Sequence, residues 1–164
     1  MNGKMIINLS LLLAQALLVQ GCLYKSQQAS TDNTENEITA VSISTIGGLT
    51  AVPSNGYTIR VTKDSVYCLF SAIDTVHSTL KSYGNTEDKW NLLLDKIELE
   101  KFADAKEGES RQPYDGIDIK ISIETKSGKY AKLNADNSPS WDRLYRQLEG
   151  SFSPQSLENE KSKH

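Results

Sequence analysis

The stretch Ile117-Asp118-Ile119-Lys120-Ile121-Ser122-Ile123-Glu124 decides the fold. Every second residue is isoleucine, and every residue between is polar. Successive side chains of a strand point to opposite faces, so this run predicts a strand with one apolar face and one face in water. A strand of that kind belongs to an antiparallel sheet covered on one side. Working outward, Ser127-Gly128 turns the chain into a second strand at Lys129 to Leu133. Upstream, Thr39, Val41 and Ile43 alternate with Ala40, Ser42 and Ser44 in a strand that ends at Gly47-Gly48. Tyr57 to Thr62 and Ser65 to Phe70 are rich in Thr, Val, Ile, Tyr and Phe, with Lys63-Asp64 as a tight hairpin turn between them. Asp74 to Tyr83 reads as helix or strand, and Thr75, Val76 and Thr79 favour the extended form.

Two segments carry the helical period. Asn85-Thr86 offers a cap, Glu87 and Asp88 suit the positive end of a helix dipole, and Trp90, Leu93, Leu94 and Ile97 fall on one face. Leu99 and Phe102 extend that apolar side. In the second, Ser138-Pro139 supplies a cap and a first-turn proline, and Trp141, Leu144, Tyr145 and Leu148 repeat the same spacing. Gly150 reads as the stop. The predicted fold is therefore α+β: an antiparallel sheet of four to six strands with two amphipathic helices packed on one face.

The rest of the chain divides by composition. Lys25 to Asn36 has no large apolar residue and reads as a solvated linker, reaching at most about 40 Å when extended. Ser153 to His164 is polar, charged and without a core pattern, so it reads as a disordered tail. These limits predict a folded domain over 37–152. The chain has 164 residues, with 18 basic and 21 acidic side chains and a net charge of -3, which argues against nucleic acid as the partner.

Ahead of the linker, Met5 to Val19 is an apolar run of 15 residues behind Lys4. As a helix it spans about 22 Å, short of the roughly 30 Å hydrocarbon core, so it reads as a signal-peptide core and not a permanent span. The run ends in Val19-Gln20-Gly21-Cys22, which resembles the lipobox of bacterial lipoproteins, with Gln20 departing from the usual small residue. The resemblance implies a signal peptide over 1–21, cleavage between Gly21 and Cys22, and diacylglyceryl and palmitate-type acyl groups on Cys22. The lipidated cysteine and a flexible tether would then occupy 22–36. Leu23 follows in place of the aspartate that marks inner-membrane retention in enteric-type bacteria, so the match is to an outer-membrane lipoprotein facing the periplasm. Cleavage would remove Lys4 and no other charge, moving the net from -3 to -4. It would also leave Cys68 without an internal disulfide partner, and the apolar run Val66 to Phe70 makes that thiol a buried, inert one.

Motifs for catalysis are missing. The sequence holds no His-Glu-x-x-His, no Cys-x-x-Cys, no Gly-x-Ser-x-Gly and no phosphate-binding Gly-Lys-Ser/Thr loop. His77 is the one histidine between linker and tail, and it reads as a surface or satisfied polar residue more readily than as a general base. No metal, cofactor or catalytic residue is expected. One loop stands apart: Glu109-Ser110-Arg111-Gln112-Pro113-Tyr114-Asp115-Gly116. Pro113 stiffens it, Asp115-Gly116 turns it, and Arg111 and Tyr114 are residue types favoured at binding hot spots. Arg111, Tyr114 and Asp115 are thus the candidate interaction residues. The competing reading pairs Arg111 with a local carboxylate and packs Tyr114 on the sheet edge.

Trp90, Tyr114-Asp115-Gly116 and Trp141 also make the folded part similar to a group of uncharacterised bacterial lipoproteins. Element order, length and Gly47-Gly48 resemble, more faintly, emfourin-type inhibitors of thermolysin-like metalloproteases. The first resemblance implies a non-enzymatic binding domain held at a membrane in the cell envelope, with another envelope protein as partner. The second implies protease inhibition, with no inhibitory residue carried over. An enzyme of unknown reaction is the remaining alternative.

Overall fold

Six strands and the helices that follow them are laid out by a computed structural model, which describes residues 35–47, 54–72 and 78–161. The strands are β1 (Ile38–Ile46), β2 (Ser54–Val61), β3 (Ser65–Ala72), β4 (Thr79–Gly84), β5 (Asp118–Thr125) and β6 (Lys129–Leu133). They form one antiparallel sheet in the order β4-β3-β2-β1-β5-β6. The helices are α1 (Glu87–Leu94), α2 (Leu99–Ala103), α3 (Pro139–Phe152) and α4 (Pro154–Lys161). The α+β fold with an antiparallel sheet is as the alternating isoleucines predict.

Register explains the core. Val41 lies opposite Val61 and Ile123, Ile43 opposite Ile59 and Ile121, and Ile59 opposite Cys68. Paired residues share a face, so these side chains make one continuous apolar surface on four adjacent strands. Trp90 and Leu93 of α1, Phe102 of α2, and Trp141, Leu144, Leu148 and Phe152 of α3 join it in a single buried cluster. Each such side chain contributes about 1.5–3 kcal/mol on full burial. Trp141 stacks on Tyr145 with centroids 5.3 Å apart and planes 11° from parallel. From the same face of the sheet the Tyr57 hydroxyl donates to Glu149 of α3.

The opposite face carries Ser42, Ser44, Thr58 and Arg60, with the Arg60 guanidinium 2.5 Å from Glu124. It also carries the exposed side chains of Tyr67, Leu69 and Leu80. Gly56 is required where β1 meets β2. Its φ is 139°, and a Cβ there would lie 1.8 Å from the Thr45 carbonyl oxygen.

Four local expectations need correction. The first helix stops at Leu94, leaving Ile97 in a turn, and Leu99 and Phe102 lie on the separate helix α2. Gly150 is inside α3 and does not end it. The stop is Ser153, at φ -58° and ψ 152°, because the ring of Pro154 keeps the preceding residue out of the helical region. Pro154–Lys161 is helix where a disordered tail was expected over 153–164, and Leu157 is buried in the core. One well-spaced leucine and a proline at the first helical position were enough to order what charge alone made look loose. Ser138 precedes α3 as expected, yet its hydroxyl meets the Ser140 hydroxyl at 2.9 Å and does not cap the backbone.

Candidate interaction site

The chain enters the sheet at Ile38 and leaves β1 at Ile46, eight residues later. At about 3.3–3.4 Å per residue the two ends of β1 are roughly 30 Å apart. Antiparallel pairing puts Asp118 opposite Ile46, so the segment that leads into β5 lies at the end remote from Ile38. The loop of the candidate residues is that segment.

Its shape is imposed by one carboxylate. Asp118 is 4% exposed, although it stands on the strand face predicted to meet water. Ser122 is buried on that face too, while Lys120 is exposed, so the polar face of β5 is only partly wet. The loop folds back over Asp118. Ser110 Oγ donates to Oδ2 at 2.7 Å, and the Arg111 amide donates to Oδ1 at 2.7 Å. Asn134 Nδ2 donates to the same Oδ1 at 2.8 Å. These bonds, led by that from the Arg111 amide, hold the Asp118 carboxyl below its ordinary 3.8.

Asn134 ties the loop to the sheet from the other side. It sits just past β6 at φ 45°, a conformation asparagine tolerates better than most residues. Its Nδ2 also donates to the Glu109 carbonyl at 2.8 Å, and its Oδ1 accepts from the Ile119 amide at 2.8 Å. Its own amide donates to the Ile119 carbonyl at 2.8 Å. Gly108 N donates to the Leu133 carbonyl, extending the attachment along β6.

On this base the tip is a single 3₁₀ turn, Gln112–Tyr114. The Arg111 carbonyl accepts from Tyr114 N at 3.0 Å and from Gly116 N at 2.9 Å. Asp115 closes the turn at φ 56°. Gly116 admits the close return of the chain, since a Cβ there would lie 2.6 Å from Arg111 Cβ. Arg111 turns its guanidinium to Asp136 as an ion pair, both groups being about half exposed. This is the local pairing that the competing reading anticipates. Tyr114 departs from that reading. It is 87% exposed, on a clamped backbone, and does not pack on the sheet edge. Ile117 and Ile46, both exposed, stand at the same end of the sheet. Arg111, Tyr114 and Asp115 thus lie on one loop, where Arg111 is paired with Asp136 at the surface and Tyr114 is held outward without packing on the sheet.

Asp118, Ser110 and Asn134 were not legible as a site. Two signals were available: an aspartate starting a strand directly after Asp115-Gly116-Ile117, and an asparagine directly after a strand.

A separate cleft of about 430 Å³ opens between α2 and the start of α3. Glu98 there pairs with both Lys101 and Arg143, which hold its carboxyl below the ordinary range. Both cations that line the cleft thus share an anionic partner. Among the described residues no group of three or more His, Cys, Asp or Glu is placed to hold a metal ion. No helix among the described residues is long and apolar enough to cross a membrane. His77, Gly48, Gly21 and Cys22 lie outside the described residues. Cys68 is fully buried, and that burial pushes its thiol pKa up. No protein-family model, curated protein or solved structure matches the chain.

Proposed function

We propose that the chain is a membrane-anchored bacterial lipoprotein whose folded domain is a non-enzymatic binding module. In this reading Cys22 carries the lipid, and residues 22–36 are the tether. The loop around Tyr114 contacts a second protein of the cell envelope, with the protein at the outer membrane facing the periplasm. Buried acyl chains contribute about 0.8 kcal/mol per methylene, so two or more chains hold a domain of this size stably at a bilayer.

The observation that carries the recognition reading is Tyr114. A large amphipathic ring at 87% exposure on a backbone clamped by Asp118, Asn134 and Gly116 has already lost its backbone entropy before any partner arrives. The placement of that ring at the end of the sheet remote from Ile38 also suits a domain tethered through its amino-terminal side.

The anchor is tested by intact-mass measurement and membrane sedimentation of the full chain and of Cys22→Ser. The reading expects the mass of a diacylglyceryl-modified, N-acylated Cys22 and release of Cys22→Ser from membranes. An unmodified Cys22, or equal sedimentation of the two proteins, overturns it.

A further inference from the structure

The two outer strands of the sheet are finished differently. On one side the chain closes over the end of β6: Gly108 N donates to the Leu133 carbonyl at 2.9 Å, and Leu133 N donates to Glu107 Oε1 at 3.0 Å. β6 is also short and carries Lys129 and Lys132, features that discourage further pairing at a sheet edge. On the other side, β4 has β3 as its one neighbour in the sheet among the described residues. Thr79, Leu80, Lys81 and Ser82 are all exposed along it.

The charge on β4 does not guard that edge. Lys81 is the strand's one charged residue, and it lies back over the sheet. Its Nζ is 5.6 Å from the centroid of the Phe70 ring on β3 and donates to Glu158 of α4 at 2.7 Å. On the opposite face Leu80 stands beside its register partner Leu69, and Ser82 beside Tyr67. Leu80 is 65% exposed, Tyr67 41% and Leu69 39%. An apolar row thus crosses β3 and β4 and is cut off at the open edge.

We propose that β4 pairs with β4 of a second copy of the chain, antiparallel about a two-fold axis that passes between the two Leu80 residues. Such a pairing is self-complementary, so the choice of axis sets every facing pair. An axis at Lys81 places like charges directly opposite each other, which is destabilising. An axis at Ser82 places Leu80 against Gly84, which has no side chain to cover it. An axis at Leu80 places the two leucines against each other and Lys81 against Thr79. The row then runs from Leu69 through both Leu80 side chains to the second Leu69, and the open backbone groups of both edges find partners. β5, and with it the loop around Tyr114, lies four strands from this joint, so the pairing and the recognition loop use separate surfaces.

The test is disulfide trapping of the purified full chain with diamide, which takes up the two hydrogens as two thiols join. Leu80→Cys should link to itself. A mixture of Thr79→Cys and Lys81→Cys chains should link to each other, with Leu80 left in place. Ser82→Cys should not, because in this register the two Cα atoms are about 14 Å apart, beyond the roughly 7 Å that a disulfide spans. Leu92→Cys, 54% exposed on α1, reports random collision. The expected yield from position 80, or from the 79–81 mixture, is at least about tenfold that from position 82 or 92. Mass spectrometry of the linked peptides keeps Cys22 and Cys68 out of the reading. Yields from position 80 and from the mixture that both stay at the level of position 92, or a yield from position 82 that matches them, overturns the pairing.

Discussion

Replacing Asp118 with alanine is expected to release the loop without dismantling the sheet. Three donors lose their acceptor at once: Ser110 Oγ, Arg111 N and Asn134 Nδ2, at 2.7, 2.7 and 2.8 Å. Ser110 and Arg111 are exposed, so water takes over and each loss costs about 0.5–1.5 kcal/mol. Asn134 is 3% exposed, and its amide keeps only the Glu109 carbonyl. That partly unsatisfied donor adds about 1 kcal/mol, at the low end of the range for a buried group. The sum is about 2–4 kcal/mol, which for a domain of this size lowers the thermal midpoint by roughly 10 °C. Asp118→Asn keeps an oxygen for Arg111 N and Asn134 and should cost about half as much. Urea unfolding followed by tryptophan fluorescence reads the stability, because Trp90 and Trp141 are both buried. Hydrogen exchange reads the loop, with amides 110–116 expected to exchange faster than those of β1 and β5. A loss under about 0.5 kcal/mol in Asp118→Ala, or loop amides that exchange no faster, would refute the clamp.

Further predictions concern the same loop and its support. Gly116→Ala places a methyl 2.6 Å from Arg111 Cβ and 3.0 Å from the Arg111 carbonyl oxygen, and should cost about 1–3 kcal/mol in the same urea assay. Tyr114→Ala should change stability by less than about 0.5 kcal/mol in thermal unfolding, since an 87% exposed ring packs on little. Thr86→Ala should cost about 0.5–2 kcal/mol, because the Thr86 hydroxyl caps α1 by accepting from Lys89 N. Acidification should loosen the loop late. The folded pKa of Asp118 lies below its ordinary 3.8, so its stabilisation is complete above that value and fades as pH falls through the lower, folded one. Loop exchange corrected for intrinsic pH dependence should therefore stay level from pH 7 to about 5 and rise only below the ordinary carboxylate range. Asp118→Asn should abolish that rise.

Much of the sheet was readable because its signal is local. Alternation at Ile119, Ile121 and Ile123, the turns at Lys63-Asp64 and Ser127-Gly128, and the Thr86 cap each depend on a few adjacent residues. The misreadings share a different cause. Gly150 is a helix stop in isolation, yet Phe152 beyond it is fully buried and carries α3 onward until Pro154 intervenes. The segment after Ser153 is highly polar, and only Leu157 reaching the core reveals the helix. Asp118 alternates as a solvent-facing residue should, but a loop brought back from position 110 covers it. Tyr114 shows the same limit from the other side. The residue types of its loop marked it as a recognition candidate, while the base of that loop is held by Asn134, sixteen residues after Asp118, through the Glu109 carbonyl and the Asp118 carboxylate.

The most direct test of Tyr114 as the recognition residue is site-specific photocrosslinking of the full chain in its native membranes. A photoreactive amino acid is placed at position 114 and, separately, at Ser127, on the hairpin at the opposite end of the sheet. The account predicts one discrete protein adduct from position 114, its loss when Asp118→Ala is added, and no such adduct from position 127. The same adducts from both positions, or an adduct from position 114 that survives Asp118→Ala, would contradict it.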